Sequence, residues 1–196
     1  MRFDELYGKY EGLLTALKGI INQSNARVLR EEPDEFFSDN VNFFVKSYLI
    51  NICTYLEAYL QDVAFEHTNR ISKRLKDACV PHNFLYCKLA KEVKEKDLKF
   101  NDADYRFSKK EISNTISGNP YKTVKAYKLI GIDLESDDKF NEYRDFIKII
   151  VNKRNSVIHH NDDASDLSFP DLLANIDVFL EYMSSIDKLV ANLNGE

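Results

Sequence analysis

The sequence contains no tryptophan and few of the residues that interrupt regular structure. Its 196 residues include only six glycines and four prolines, which are the residues that most often mark turns and breaks. No stretch alternates between apolar and polar residues for long enough to predict a half-buried strand. This shortage of turn residues argues against a turn-rich β fold and favours long helices.

Long apolar runs are also missing. None approaches the roughly 18 consecutive apolar residues that a membrane-spanning helix requires. The acidic start at Asp4 and Glu5 is unlike that of a signal peptide. Three cysteines, an odd number without repeated spacing, fit a reducing compartment. We therefore expect a cytoplasmic protein that does not contact a membrane.

Charge is distributed unevenly along the chain. The net charge is −5, yet residues 70–130 hold 15 Lys/Arg against 7 Asp/Glu, which leaves a balance of −13 for the remainder. A segment with a net charge of +8 in an otherwise acidic chain predicts one basic surface that is able to attract a phosphate backbone. The competing interpretation is a solvated helical region that happens to be rich in lysine.

Apolar residues recur at helical spacing over most of the chain. The longest predicted helix has Ser38 and Asp39 as its N-cap candidates, and it carries apolar residues on two faces, as a central helix should. Capping signals predict further helix starts at Ser108, Asn119 and Ser168. A short helix is also predicted over residues 84–93.

This arrangement predicts a single all-α domain over residues 1–196. The core segments are residues 1–78 and 136–194, and a basic helical insertion occupies about residues 79–131. The chain is long enough for one well-buried core and short for two.

Two groups of residues have metal-ligand chemistry but make weak candidates. Cys79, His82 and Cys87 supply three soft ligands, whereas a structural zinc site normally needs four. The aspartates at positions 162, 163 and 166 lack the glycine and the terminal glutamate of a calcium loop. Because no phosphate-binding loop or HExxH motif is present either, we expect no metal and no cofactor.

One arginine interrupts an otherwise regular apolar helix face. Apolar residues recur from Phe140 to Val151, and the same spacing then leads to Arg154, followed by Val157 and Ile158. A guanidinium is costly to bury unless it is paired or faces a cleft. Arg154 is therefore either a functional group or a side chain whose charged end reaches solvent near a helix terminus.

The residues that follow Arg154 add proton-transfer chemistry. Asn155 is next in the chain, and His159 and His160 lie five and six positions after the arginine. Arginine binds phosphate oxygens, and histidine exchanges a proton near neutral pH. Together they suit cleavage of RNA by its own 2′-hydroxyl. We expect alanine at Arg154 or His159 to abolish cleavage and to leave the melting temperature little changed.

Arg-Asn-Ser-Val-Ile-His at 154–159 resembles the Arg-x4–6-His motif of the HEPN superfamily, in which a polar residue usually follows the arginine. The long helix around residues 55–60 is similar to the family's leading core helix, where an acidic residue is common at the position of Glu57. Residues 124–132 are similar to the segment before the motif helix in bacterial defence-associated branches. The resemblance covers about residues 40–193 and leaves residues 1–35 outside.

The resemblance implies a HEPN-like helical bundle, a homodimer whose two motifs share one cleft, and metal-independent endoribonuclease activity on single-stranded RNA. It also implies a toxin or a phage-defence effector. In this assignment Arg154 binds and polarises the scissile phosphate, and His159 is the general acid/base. Asn155 orients the phosphate or the histidine, Glu57 positions Arg154, and His160 is a secondary candidate for the acid/base.

The alternative is a non-catalytic interaction module, because many members of the superfamily have lost catalysis. Such a module would bind RNA, a nucleotide or a partner protein, with an antitoxin, a nucleotidyltransferase or an ATPase as candidate partners. Arg154 would then anchor an interface by pairing with a carboxylate of another chain.

Overall fold

The structure, a computed structural model, describes residues 3–160, 164 and 166–195. Within these residues the chain forms eight α-helices, two short 3-10 helices at Glu95–Asp97 and Leu134–Ser136, and no β-strand. The prediction of an all-α fold is confirmed. The α-helices are α1 (Phe3–Val28), α2 (Glu35–Asp39), α3 (Val41–Asp77), α4 (His82–Leu89), α5 (Lys109–Thr115), α6 (Pro120–Leu129), α7 (Asp138–His160) and α8 (Phe169–Asn194).

The four long helices α1, α3, α7 and α8 form the bundle. Helix α8 packs against α1, α3 and α7, and α3 also packs against α1 and α7. The two predicted apolar faces of α3 are both buried, including the second face formed by Leu49, Cys53, Leu60 and Ala64. Since burying one leucine side chain contributes about 1.5–3 kcal/mol, these contacts explain why α3 occupies the centre of the bundle.

The first helix is part of this core. Phe3, Leu14 and Ile21 of α1 are fully buried, and α1 packs against α3 and α8. Their spacing follows one face of a helix, which is the pattern that the sequence shows. No helix in the described part of the chain is long and apolar enough to cross a membrane.

Three predicted helix starts are confirmed by their caps. Ser108 forms a capping box with Glu111, in which the serine oxygen accepts from the Glu111 N–H at 3.2 Å. Asn119 accepts from the first backbone N–H groups of α6, and Ser168 forms a second capping box with Asp171. These caps satisfy N–H groups that a helix start otherwise leaves unpaired.

Two predicted helix boundaries are wrong. Ser38 and Asp39 are the last residues of the short helix α2, and Asn40 occupies the N-cap position of α3. The helix predicted to reach Val93 ends at Leu89, and Val93 is exposed. A short helix is marginal without tertiary packing, so an apolar residue that finds no partner does not extend it.

The basic middle of the chain packs on the outside of the bundle. Helix α5 contacts α3, and α6 contacts both α5 and α7. The hydroxyl of the buried Tyr127 in α6 donates to the carbonyl oxygen of Leu60 in α3 at 2.7 Å. These contacts hold the loop between α5 and α6 against α3 and α7. That residues 79–131 are an insertion stays a prediction.

Candidate active site

The guanidinium of Arg154 is mostly buried and is paired with a carboxylate from another helix. Its Nη2 donates to Oε2 of Glu57 at 2.9 Å, which joins α7 to α3. The Arg154 side chain is 16% exposed and that of Glu57 is 32% exposed. The carboxylate partner of the arginine therefore lies within its own chain. The binding-module interpretation had instead placed this partner in another chain.

Neighbouring groups hold Glu57 in place. Nε2 of Gln61 lies 3.5 Å from Oε1 of Glu57 and donates to the carbonyl oxygen of Ile116 at 3.1 Å. A methyl group at Gly118 would lie 3.9 Å from Oε2 of Glu57, so the backbone of the α5–α6 loop passes close to the carboxylate. The loop thus closes one side of the ion pair.

Cys53 lies beside the same arginine. Burial raises the pKa of its thiol to about 12, and the nearby Arg154 opposes this increase only in part. Because the thiolate is the reactive form, Cys53 is inert at neutral pH. The Nε of Arg154 is also buried and has no hydrogen-bond acceptor among the described residues. The inner side of the guanidinium is therefore closed.

The outer side of the guanidinium borders a cavity of about 270 Å³. The cavity is lined by Thr54, Glu57, Ala58, Gln61 and Arg154. A small anion can approach the arginine from this side. It meets the Glu57 carboxylate in the same wall, which offsets part of the positive charge. Arg154 is thus a firmly positioned cation, and Glu57 reduces its attraction for anions.

His159 lies on a different side of α7 from Arg154. It is exposed, whereas Arg154 faces α3. Residues five apart in an α-helix differ by about 140° around the axis and by ~7.5 Å along it. One chain alone therefore does not bring the imidazole and the guanidinium to one point.

Asn155 shares its helix face with the histidine. Asn155 is half-buried, and residues four apart, such as Asn155 and His159, are neighbours on the surface of a helix. The two roles predicted for Asn155 stay predictions. His160 ends α7, and its side chain lies outside the described residues.

His67 and His82 are held in structural contacts. His67 is buried, with Nε2 3.1 Å from the Ile130 carbonyl oxygen and Nδ1 3.1 Å from the side-chain nitrogen of Asn194. Burial lowers its pKa and keeps the ring neutral. His82 bonds through Nδ1 to the hydroxyl of Tyr105 at 3.1 Å. Of the histidines whose side chains are described, His159 is the exposed one.

Four of the residues considered as metal ligands are described, namely Cys79, His82, Cys87 and Asp166. Among the described residues, no group of three His, Cys, Asp or Glu side chains is arranged to hold a metal ion. Cys79 and Cys87 are exposed, free thiols. Asp166 forms an ion pair with Lys153 at 2.6 Å, and the aspartates at 162 and 163 lie outside the described residues.

Sequence reasoning does not identify Thr54, Cys53, Gln61 or the loop at 116–118 as parts of this site. In the sequence, Cys53 is one of the apolar residues of α3, and nothing around it indicates the arginine. Gln61 lies one helical turn after Glu57, so the four-residue spacing is the available signal. Nothing in the sequence indicates the loop, because its contact with Glu57 is made only by tertiary packing.

Comparison with known families identifies the family of the chain. A family model described as RiboL-PSP-HEPN matches residues 9–192, which includes most of α1 and extends the resemblance beyond the range of about 40–193 seen in the sequence. No curated protein and no solved structure matches the chain significantly. Since the match covers nearly the whole chain, including the Arg154–His159 motif and Glu57, the protein belongs to the RiboL-PSP-HEPN family of HEPN-type domains.

Proposed function

We propose that this protein is a metal-independent endoribonuclease that cleaves single-stranded RNA and acts as a toxin or phage-defence effector. Family membership supports an RNA-related function. The observation that carries the proposal is the exposed His159 beside Asn155 on α7, little more than one turn from an arginine fixed by Glu57. A proton carrier and a cation thus lie at the same end of one helix.

The reaction needs only groups of this kind. A histidine acting as general base removes the proton of the 2′-hydroxyl, and the oxygen attacks the adjacent phosphorus. The bond from phosphorus to the 5′-oxygen breaks, and that oxygen takes a proton from a general acid. The products are a 2′,3′-cyclic phosphate and a free 5′-hydroxyl. Arg154 stabilises the negative charge that builds on the phosphate oxygens.

A homodimer would supply what one chain lacks. His159 and Arg154 of one protomer lie on different sides of α7, so a second copy related by a two-fold axis would place its own motif opposite the first. Two histidines would then flank the phosphate, one as base and one as acid. The approach of two arginines would also favour binding of an anion between them. We expect an interface of at least ~1,200 Å².

Purified protein is expected to cut single-stranded RNA in the presence of EDTA, because proton transfer and charge stabilisation come from side chains. The fragments should carry 2′,3′-cyclic phosphate ends, which acid treatment or a phosphatase-resistance assay detects. Activity that is lost on chelation and returns with magnesium would contradict this mechanism.

The shared cleft can be tested by mixing subunits. A heterodimer of an Arg154→Ala chain with a His159→Ala chain keeps one arginine and one histidine on opposite chains. We expect it to recover part of the activity, at least about tenfold above either inactive homodimer, since one acid/base group contributes ~10²–10⁴-fold. Light scattering that shows a monomer with full activity would rule out the shared cleft.

A binding module without catalysis is the second candidate, and one observation favours it. Arg154 is already paired with Glu57 and is largely buried, as expected for an arginine that stabilises the bundle. In that case the exposed face of α7 would bind RNA, a nucleotide or a partner protein such as an antitoxin, a nucleotidyltransferase or an ATPase. The effect of removing His159, argued below, separates the two candidates.

A further inference from the structure

A second, basic cavity lies near the C-terminal end of α3. Its volume is about 410 Å³, and it is lined by Asn69, Ser72, Lys73, Lys76, Asp77 and Arg106. At a rise of ~1.5 Å per residue, Lys73 lies about 24 Å along α3 from Glu57. The cavity is therefore separate from the candidate active site.

The charge of this cavity is mainly positive. Lys73 and Lys76 are exposed, lie three residues apart on one helix face, and form no ion pair with another described residue. The Nε of Arg106 donates to Asp104 at 2.7 Å, which orients the guanidinium. Asp77 is the acidic residue of the lining. With Asp104 paired to Arg106, the two lysines and the arginine of the lining outnumber the nearby carboxylates by one, and the unpaired lysines leave a surface that attracts anions.

A stack of aromatic rings adjoins the cavity. The His82 ring is stacked with that of Tyr86, with centroids 5.9 Å apart, and with that of Tyr105, with centroids 5.7 Å apart. Tyr105 is 44% exposed, so part of its ring is open to solvent. The hydroxyl of Ser72, in the cavity wall, donates to the Tyr105 carbonyl oxygen. This bond, together with the neighbouring Arg106 in the lining, places the backbone of Tyr105 at the edge of the cavity.

We propose that this cavity and the exposed ring of Tyr105 form a second binding site for single-stranded RNA. Lys73, Lys76 and Arg106 contact the backbone phosphates, and a base stacks on Tyr105. A positive groove beside an exposed aromatic ring is the arrangement that binds single strands without sequence preference. The inference rests on the proposed function, because it states where the RNA substrate is held away from the cleaved bond.

Binding is best measured in the His159→Ala background, where little RNA is cleaved during the measurement. Anisotropy of a fluorescein-labelled oligouridylate would be followed at several salt concentrations. The Lys73→Ala/Lys76→Ala variant should bind more weakly, and its salt slope should fall by about 0.7 for each phosphate that is no longer neutralised. Tyr105→Ala should weaken binding about 5- to 100-fold at an unchanged slope, whereas Tyr105→Phe should keep most of the affinity.

The matched control is Lys18→Ala/Lys188→Ala, which removes two lysines from the acidic part of the chain. Its affinity should stay close to that of the parent, and circular dichroism should show that every variant is folded. If the Lys73/Lys76 and Tyr105 variants bind as tightly as this control, the second site is overturned. The two proposals can fail separately. If RNA binding depends on these residues but the wild-type protein does not cleave RNA, the nuclease proposal is refuted and the second site is supported.

Discussion

Replacement of His159 by alanine is expected to lower RNA cleavage by about 10²–10⁴-fold, because it removes a general acid/base. The same change should leave the melting temperature almost unchanged, since His159 is exposed on α7 and surface substitutions rarely alter stability. Single-turnover cleavage in EDTA and thermal unfolding monitored by circular dichroism would measure the two effects.

His160→Ala is the matched control for this substitution. It removes a neighbouring imidazole from the same end of α7 and should reduce cleavage less. The opposite order of effects would transfer the acid/base role to His160. Asn155→Ala should give an intermediate loss, because Asn155 shares the helix face of His159 and orients it.

Expression in a bacterial host separates the nuclease from the binding module. Wild-type protein expressed alone should slow growth, and the His159→Ala variant should be tolerated at the same protein level. Equal growth of both strains, together with unchanged RNA in the purified assay, would favour the binding module.

Replacement of Arg154 is expected to affect both activity and stability. The sequence predicts little change in the melting temperature, but the structure revises this expectation because the guanidinium is 16% exposed and bonded to Glu57. Arg154→Met should abolish cleavage and leave the carboxylate without its partner. We expect a loss of about 1–3 kcal/mol, allowing for the partial exposure of Glu57. For a chain of this size, that loss corresponds to roughly 3–10 °C.

The companion substitution is Glu57→Gln. Combined with Arg154→Met, it removes the isolated carboxylate and should recover part of the stability, while cleavage stays absent. Alone, it keeps an oxygen that accepts from Arg154, so it should cost less stability than Arg154→Met. An Arg154→Met protein as stable as the wild type would show that the ion pair contributes nothing. Full cleavage by that protein would remove Arg154 from the mechanism.

The helical character of the chain is predictable because its signals are local. The caps at Ser108, Asn119 and Ser168 depend on side chains that reach backbone groups within three residues. The apolar faces of α3 and α8 depend on the helical repeat alone. The short helix α2 is not predictable in this way, because five residues carry too little periodicity to distinguish a helical turn from a loop.

Residue patterns alone predict the all-α class, the central place of α3 and the interruption of an apolar face by Arg154. The groups that contact this arginine are set by helix packing. Glu57 lies 97 residues before Arg154, and helix packing brings the two side chains together, with Gln61 and Gly118 next to the carboxylate. The backbone of Tyr105 is likewise brought to Ser72 of α3 by packing. Residue periodicity specifies which face of a helix is buried, whereas the partners on that face depend on how the helices pack.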